Sequence, residues 1–146
     1  MNLSVAIKKL NPAAQLPLRG SEQAAGYDLR ACLEQDITIA PGATVLVGTG
    51  LAFALPQGYF GGVFARSGLS VKQGLRPANC VGVIDSDYRG ECMVALHNDS
   101  DTPRTVTNGD RIAQLVILPY LAVDFSEVTE LDDTQRGEGG FGSTGR

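Results

Sequence analysis

The chain has 146 residues, of which 43% are hydrophobic, and a formal net charge of −4 at pH 7. This length favours one domain with a real core. The negative charge argues against nucleic acid as the partner, because proteins that bind its backbone are basic. No apolar run approaches the ~18 residues that a membrane span needs, so we expect no membrane partner.

The N-terminus and the cysteines indicate where the protein works. The first residues lack the long apolar stretch and the small-residue cleavage site of a signal peptide. Cys32, Cys80 and Cys92 are odd in number and form no C-x-x-C pair. This pattern predicts reduced, mostly buried thiols in a cytoplasmic protein.

Short apolar or β-branched stretches, separated by Gly, Pro, Asn and Asp turns, recur along the chain. They predict strands at 4–7, 37–39, 44–47, 51–55, 59–64, 81–84, 92–96, 112–118 and 121–128. One short helix is predicted at 67–73, stopped by Gly74. The pattern indicates an all-β, antiparallel sandwich or barrel. Because it stops near Glu130, we predict a folded domain at 1–128 and a mobile arm at 129–146.

Two predicted segments, the start of the short helix and the last long strand, carry residues suited to phosphate contacts. Arg66, Ser67 and Gly68 open the predicted helix, so Ser67 is expected to be its N-cap and the segment either cradles an anion or only caps the helix. On the last long strand, Arg111 and Gln114 are three residues apart. They should therefore face opposite sides unless a bulge intervenes.

The segment 82–90 carries Asp85, Asp87 and Tyr88 in a predicted turn between two strands. A carboxylate at the end of a buried strand can orient a water as general base. Asp85 can equally bond its own loop in an Asx-turn, and a D-x-D metal site is a third reading. The metal reading is weakened because a hairpin, not a helix, should follow. Tyr88 is either a hairpin aromatic or a ring that packs on a sugar.

His97, the only histidine, lies at a predicted strand end without a nucleophile motif or clustered zinc ligands. We therefore expect neither a histidine-based nucleophilic mechanism nor a zinc site.

The C-terminal segment 136–145 combines five glycines with Arg136, Phe141, Ser143 and Thr144. Its G-x-G-x-x-G at 137–142 is not a dinucleotide fingerprint, because no helix can follow it. Two interpretations stay open: a disordered glycine-rich tail, or a flap that orders over a bound nucleotide. The arginine and the aromatic ring are unusual in a mere spacer and favour the flap.

Taken together, five segments resemble the homotrimeric dUTP pyrophosphatases (dUTPases): 25–31, 66–70, 82–91, 111–115 and 136–145. Ala65 is one departure, since many members have proline there. The resemblance implies a jelly-roll-like antiparallel β subunit of the β-clip type, assembled as a trimer with three sites shared among the chains. It also implies hydrolysis of dUTP to dUMP and pyrophosphate with Mg²⁺. This reaction would remove dUTP from the nucleotide pool and supply dUMP for thymidylate synthesis.

Residue roles follow from the same resemblance. Asp85 would activate the water that attacks the α-phosphorus, and Tyr88 would pack on the deoxyribose and disfavour a ribose. Uracil would be read by Asn79, by the hairpin backbone at Val83, Ile84 and Asp85, and by Met93. Phosphate contacts would come from Arg66, Ser67, Gly68 and Gln114.

Asp28 and Arg111 would support the site, through an ion pair. From the arm, Phe141 with the neighbouring Gly142 would cover the uracil, while Arg136, Ser143 and Thr144 would engage the γ-phosphate side, Arg136 also serving catalysis. The resemblance implies that Mg²⁺ is held by the phosphates and water, with no direct protein ligand.

Two alternatives belong to other functional classes. A dCTP deaminase has a similar fold and assembly but ordinarily lacks the Arg/Phe/Gly-rich flap. A regulatory trimer would bind the nucleotide without turnover. Ammonia release from dCTP would identify the first, and binding without pyrophosphate release the second.

Overall fold

The structure is a computed structural model that describes residues 3–142. Within this range the chain forms twelve strands and one short helix. They are β1 (Ala6–Lys9), β2 (Leu18–Arg19), β3 (Tyr27–Arg30), β4 (Ile37–Ile39), β5 (Thr44–Gly48), β6 (Leu51–Ala54), β7 (Tyr59–Phe64), α1 (Ser67–Gln73), β8 (Leu75–Pro77), β9 (Gly82–Ile84), β10 (Met93–Asn98), β11 (Arg104–Val106) and β12 (Arg111–Pro119). No helix here is long and apolar enough to cross a membrane.

All strand pairs are antiparallel. The largest sheet has the order β2-β3-β12-β7-β9, so β12 lies at its centre and β9 at one edge. A three-stranded sheet has the order β5-β10-β8, and β1-β6 and β4-β11 form two-stranded pairs. The predicted all-β, jelly-roll-like fold is confirmed.

One hydrophobic core joins all four sheets. In β10 alternate side chains are buried, as a strand with one face on the core requires, whereas β6 and β7 each bury three consecutive residues. The core includes Leu29 of β3, Ile39 of β4, Leu51 of β6, Leu96 of β10 and Ile112 of β12.

The two buried polar side chains are paired, as burial requires. Asn98 donates to the main-chain oxygens of Ile39 at 2.9 Å and Thr102 at 2.8 Å. The Thr49 hydroxyl donates to the oxygen of Cys92 at 2.6 Å.

Most predicted elements are confirmed, with ends that move by one or two residues. The helix at 67–73 and the strands at 37–39 and 59–64 have the predicted bounds. Four strands were missed, β2, β3, β8 and β11, because they are short or interrupt their apolar pattern with charge or proline.

The strand predicted at 121–128 is wrong. This segment has no regular structure, and every residue in it is exposed. A strand needs a neighbour for its backbone groups, and β12 has already ended at Pro119. Leu121 and Phe125 are 88% and 97% exposed. The domain boundary at 128 stays a prediction.

Candidate active site

A cleft of about 330 Å³ lies between the turn after β9 and the start of β10. The residues predicted for base and sugar recognition come together here. The cleft is lined by Asn79, Val83, Ile84, Asp85, Tyr88 and Met93, among others. Strand register explains the grouping, because β9 pairs with β7 through Gly82 and Val63 while β10 begins at Met93 opposite Gly48 of β5. The predicted hairpin is wrong, since β9 and β10 lie in different sheets and do not pair with each other. Residues 85–92 instead form a loop that joins the two sheets, and we call it the 85–92 loop.

Short-range hydrogen bonds shape the turn that carries Asp85. The main-chain oxygen of Asp85 accepts the N–H of Tyr88 at 3.2 Å, and the Arg89 guanidinium donates to the oxygen of Ser86 at 2.7 Å. Within the described residues, these bonds use the backbone of Asp85 and not its exposed carboxylate. This disfavours the Asx-turn interpretation, and Asp85 lines the cleft as an exposed residue.

The ring of Tyr88 folds back over its own turn. Its hydroxyl donates to the main-chain oxygen of Glu91 at 3.0 Å, while the residue remains 48% exposed. Glycine at 90 leaves room for this arrangement, since a Cβ there would lie 2.4 Å from the Tyr88 hydroxyl. The ring therefore presents an accessible face with a fixed orientation.

A tight turn brings Asn79 to the cleft. The N–H of Val81 reaches the oxygen of Asn79 at 2.6 Å, and Cys80 between them has a φ of +60°, which side-chain-bearing residues seldom adopt. The N–H of Ala78 is bonded to the oxygen of Ala95 at 2.7 Å, which fixes the turn against β10.

The floor of the cleft contains a buried thiol. Cys92 is 3% exposed, and burial raises its pKa to about 11. The thiol therefore stays protonated at neutral pH and does not serve as a nucleophile.

A second cluster of predicted residues lies outside this cleft, where β3, β7 and β12 meet. The carboxylate of Asp28 is 2.7 Å from Nε of Arg66 and 3.5 Å from Nη1 of Arg111. The predicted Asp28–Arg111 ion pair is thus present, and Arg66 joins it. Two guanidiniums share one carboxylate, so the cluster keeps an excess positive charge that suits an anion.

Gln114 belongs to the same cluster. Its amide donates to the oxygen of Ala65 at 2.9 Å, and a Cβ at Gly26 would collide with its Oε1. The β12–β3 register shifts between Arg111 and Ala113. This irregularity is the bulge that lets Arg111 and Gln114 serve one side of the sheet despite their odd spacing.

The predicted N-cap role of Ser67 is wrong. Helix α1 begins at Ser67, and its N-cap residue is Arg66, which makes no side-chain capping bond. Ser70 instead donates back to the oxygen of Arg66 at 3.0 Å. The boundary lies one residue earlier than the propensity of serine suggests. No described atom lies within 4 Å of a Cβ built at Gly68, so packing within these residues does not require glycine there.

The described part of the arm, residues 129–142, contributes no lining residue to the cleft. Nε of Arg136 donates to the oxygen of Gly139 at 2.7 Å, and the N–H of Gly137 donates to the Thr134 hydroxyl at 3.0 Å. Phe141 is fully exposed, and Gly142 after it has a φ of +85°. Ser143 and Thr144 lie outside the described residues.

The predicted residues thus form three separate groups in one chain: the cleft, the cationic cluster and the arm. Sequence reasoning did not include Glu91, which lines the cleft and accepts the N–H of Gly50 at 2.8 Å. Its partner is 41 residues away, so no local signal could have indicated the contact.

Comparisons with known proteins agree on one family. The dUTPase family model matches residues 13–145. A deoxyuridine 5′-triphosphate nucleotidohydrolase of Desulfitobacterium hafniense is 51% identical over 146 residues, which cover 99% of this chain and 97% of the relative. One from Corynebacterium glutamicum is 51% identical over 144 residues, covering 98% and 95%.

Solved structures give the same result. A point mutant of the Staphylococcus bacteriophage 80alpha dUTPase with dUpNHpp superposes with a TM-score of 0.90 at 28% identity, covering 99% of this chain and 100% of that one. A mutant dUTPase of phage phi11 of S. aureus, described for its coordination of a structural Mg(II) ion, has a TM-score of 0.77 at 26% identity, covering 88% and 98%.

Proposed function

The chain belongs to the dUTPase family, and we propose that it hydrolyses dUTP to dUMP and pyrophosphate. The observation that carries the proposal is the cleft at the 85–92 loop, which joins β9 to β10. There an exposed carboxylate, Asp85, lies beside an amide, Asn79, and an oriented aromatic ring, Tyr88. These are the groups needed to attack, read and orient a pyrimidine deoxynucleotide.

Asp85 is the general base. Its carboxylate accepts a proton from a water as the water oxygen bonds the α-phosphorus. The bond from the α-phosphorus to its bridging oxygen breaks, and that oxygen leaves with pyrophosphate. The turn bonds of Asp85 involve its backbone, so the carboxylate can bind the water without losing an intramolecular partner.

Uracil is read by a sheet edge. β9 is the last strand of its sheet, so those backbone N–H and C=O groups between Val83 and Asp85 that point away from β7 are available on its outer side. They match the alternating donor and acceptor groups of uracil, with Asn79 as a further partner and Met93 on the opposite wall. A close backbone edge excludes the 5-methyl group of thymine by steric clash.

Tyr88 selects deoxyribose. Because its hydroxyl is bonded to the oxygen of Glu91, the ring cannot easily move away from the sugar. A ribose 2′-OH packed against that ring would lose its hydrogen bonds to water, at a cost of about 1–3 kcal/mol.

The triphosphate binds the cationic cluster and the arm. Arg66, oriented by Asp28, together with Ser67, Gly68 and Gln114, contacts the phosphate chain. Arg136, Ser143 and Thr144 close on the γ-phosphate, and Phe141 stacks on the uracil with Gly142 beside it. Base–aromatic stacking contributes about 1–3 kcal/mol.

Each complete site is shared among three chains of a trimer. Two observations support this part of the proposal. The three groups of site residues are separate within the described chain, and Leu121, Val123 and Phe125 are 62–97% exposed after the last strand. Such an apolar run is stabilised by burial against another subunit. The free thiols of Cys32, Cys80 and Cys92 support a cytoplasmic location.

The residues fit a magnesium ion that arrives with the substrate. Within residues 3–142 no three acidic, imidazole or thiol groups gather as a metal site. In the cleft, the carboxylate of Glu91 is bonded to Gly50 and leaves Asp85 as the available one. When bound, Mg²⁺ neutralises phosphate charge and fixes the triphosphate for in-line attack. The chain itself orients the nucleotide and moves the proton.

The test is pyrophosphate release from dUTP and from the common ribo- and deoxyribonucleoside triphosphates, with and without Mg²⁺. We expect release from dUTP alone, accelerated by Mg²⁺. In ¹⁸O-labelled water the label should appear in dUMP. Label in pyrophosphate, or ammonia release from dCTP, would contradict the proposal.

A further inference from the structure

Glu91 lies two residues before Met93, where β10 begins, and it lines the same cleft as Asp85. Its Oε1 accepts the N–H of Gly50 at 2.8 Å. This contact joins the end of the 85–92 loop to the junction of β5 and β6. We call the last residue of β5, Gly48, and the two residues that connect it to β6, Thr49 and Gly50, the 48–50 notch.

The notch has the shape of the carboxylate. A Cβ added to Gly48 would lie 2.6 Å from Oε1 of Glu91 and 3.4 Å from its Cδ, and its three nearest neighbours are all carboxylate atoms. Gly50 has a φ of +67°, which favours glycine. Glycine at 48 therefore leaves the space that Glu91 fills.

Backbone bonds reinforce the same junction. The N–H of Cys92 donates to the oxygen of Leu51 at 2.7 Å, and the oxygen of Cys92 accepts the Thr49 hydroxyl at 2.6 Å. The oxygen of Glu91 also accepts the Tyr88 hydroxyl at 3.0 Å. Glu91 is thus bonded to the notch by its side chain and to the Tyr88 ring by its backbone.

By contrast, the hydrogen bonds of the turn at 85–89 are local and reach no farther along the chain than Glu91. Its position relative to the rest of the domain therefore depends on its two ends. One end is β9, which pairs with β7, and the other is Glu91 in the notch.

We propose that Glu91 is a positioning residue for dUTP hydrolysis, acting through the 48–50 notch. The inference rests on the proposed function, since Asp85 and Tyr88 are the groups positioned. A hydrogen bond to an ionised acceptor is stronger than a neutral one. A displacement of a reacting group by 1 Å can lower the rate by about 10²-fold.

The decisive experiment is a double-mutant cycle with Gly48→Ala and Glu91→Ala, measuring kcat, KM and thermal unfolding. Gly48→Ala adds one methyl group where only the carboxylate is close, so it should lower kcat at least about tenfold. Glu91→Ala should do the same. The double variant should be no slower than Glu91→Ala, because the clash is then gone. Additive losses would overturn the proposal.

Glu91→Gln and Asp87→Asn serve as controls. Glutamine keeps an oxygen that can accept the N–H of Gly50, so it should retain kcat within about threefold. Asp87→Asn removes a charge from an exposed position in the same 85–92 loop and should leave kcat unchanged. If Glu91→Ala does not fold, Gly48→Ala decides alone, and a loss below threefold contradicts the proposal.

Amide hydrogen exchange at Gly50 provides a readout that does not need turnover. Exchange should accelerate in Glu91→Ala and Gly48→Ala but not in Glu91→Gln. If the wild-type chain fails to hydrolyse dUTP while Gly50 behaves in this way, the function is wrong and the notch contact stands. If dUTP is hydrolysed but the cycle is additive, the role of Glu91 alone is wrong.

Discussion

The cleft at the 85–92 loop and the C-terminal arm contain complementary chemistry, yet they are held in opposite ways. Bonds between residues distant in sequence fix the 85–92 loop, such as Glu91 with Gly50 and Cys92 with Leu51. The side-chain bonds found within the arm span three residues, from Thr134 to Gly137 and from Arg136 to Gly139. We therefore expect the proposed base and sugar site to be preformed, and the arm to need a ligand or another chain for a fixed position.

This difference has an energetic consequence for substrate choice. Ordering the backbone of about ten residues costs on the order of 10 kcal/mol, before any contact is counted. Stacking of Phe141 returns about 1–3 kcal/mol. Contacts to the triphosphate must offset the rest, so we expect a diphosphate to order the arm poorly.

The strongest break of the preformed half is Asp85→Asn. The amide cannot accept the proton of the attacking water, so turnover should fall by about 10³-fold or more while dUTP still binds. Steady-state turnover and isothermal titration measure the two effects. Near-normal turnover would remove Asp85 from its role as the base.

Truncation after Gln135 tests the other half. We expect a folded protein with unchanged assembly, an unfolding temperature close to that of the full chain, and activity reduced by about 10²-fold. The reason is that residues from 136 onward lack long-range bonds in the described structure. Phe141→Ala, the milder companion, should lose about tenfold through stacking alone. A truncated chain that dissociates or unfolds would make the arm a structural element instead.

Tyr88→Ala sharpens the comparison within the cleft. Without the fixed ring, UTP should compete better, and the dUTP/UTP ratio of kcat/KM should fall by about tenfold. Tyr88→Phe keeps the ring but loses the bond to Glu91, and we expect a smaller change. Unchanged discrimination in Tyr88→Ala would exclude a role in sugar selection.

The smallest effect concerns Cys92, the buried last residue of the 85–92 loop. Burial raises the pKa of Cys92 from 9.0 to about 11. Between these values the unfolded chain releases a proton that the folded chain keeps, so the free energy of unfolding should fall by about 2 kcal/mol as pH rises. Denaturant titrations from pH 8 to 11 measure this loss, which Cys92→Ala should remove.

Thiol labelling offers an independent check of the same point. Cys80 is exposed and should react at once in the native protein, whereas Cys92 should react only after unfolding. Rapid labelling of Cys92 in the native state would mean that the end of the 85–92 loop detaches from the core.

Local patterns predicted much of the fold and little of the tertiary bonding. Alternation located most strands, because side chains of a strand alternate between core and surface. It missed β3, which alternates but is only four residues long and carries the charges of Asp28 and Arg30. Asp28 pairs with Arg66 and Arg111 from other elements. At 121–128 the alternation was real, but no strand formed, because a pattern shows that a face needs a partner and not that this chain supplies one.

The candidate site divides in the same way. The grouping of Asp85 with Tyr88 in one loop could be predicted, because the two residues are close in sequence. The Glu91 notch and the Arg66–Asp28 pair could not, since they join residues 41 and 38 positions apart.

The most direct test mixes two inactive variants, Asp85→Asn and the chain truncated after Gln135, under conditions that exchange subunits. The Asp85→Asn variant has an intact arm, and the truncated chain has an intact 85–92 loop. If each site joins the 85–92 loop of one chain with the arm of another, a random equal mixture should regain activity in about a quarter of its sites. Mixing that restores nothing, with exchange verified, would contradict the shared site.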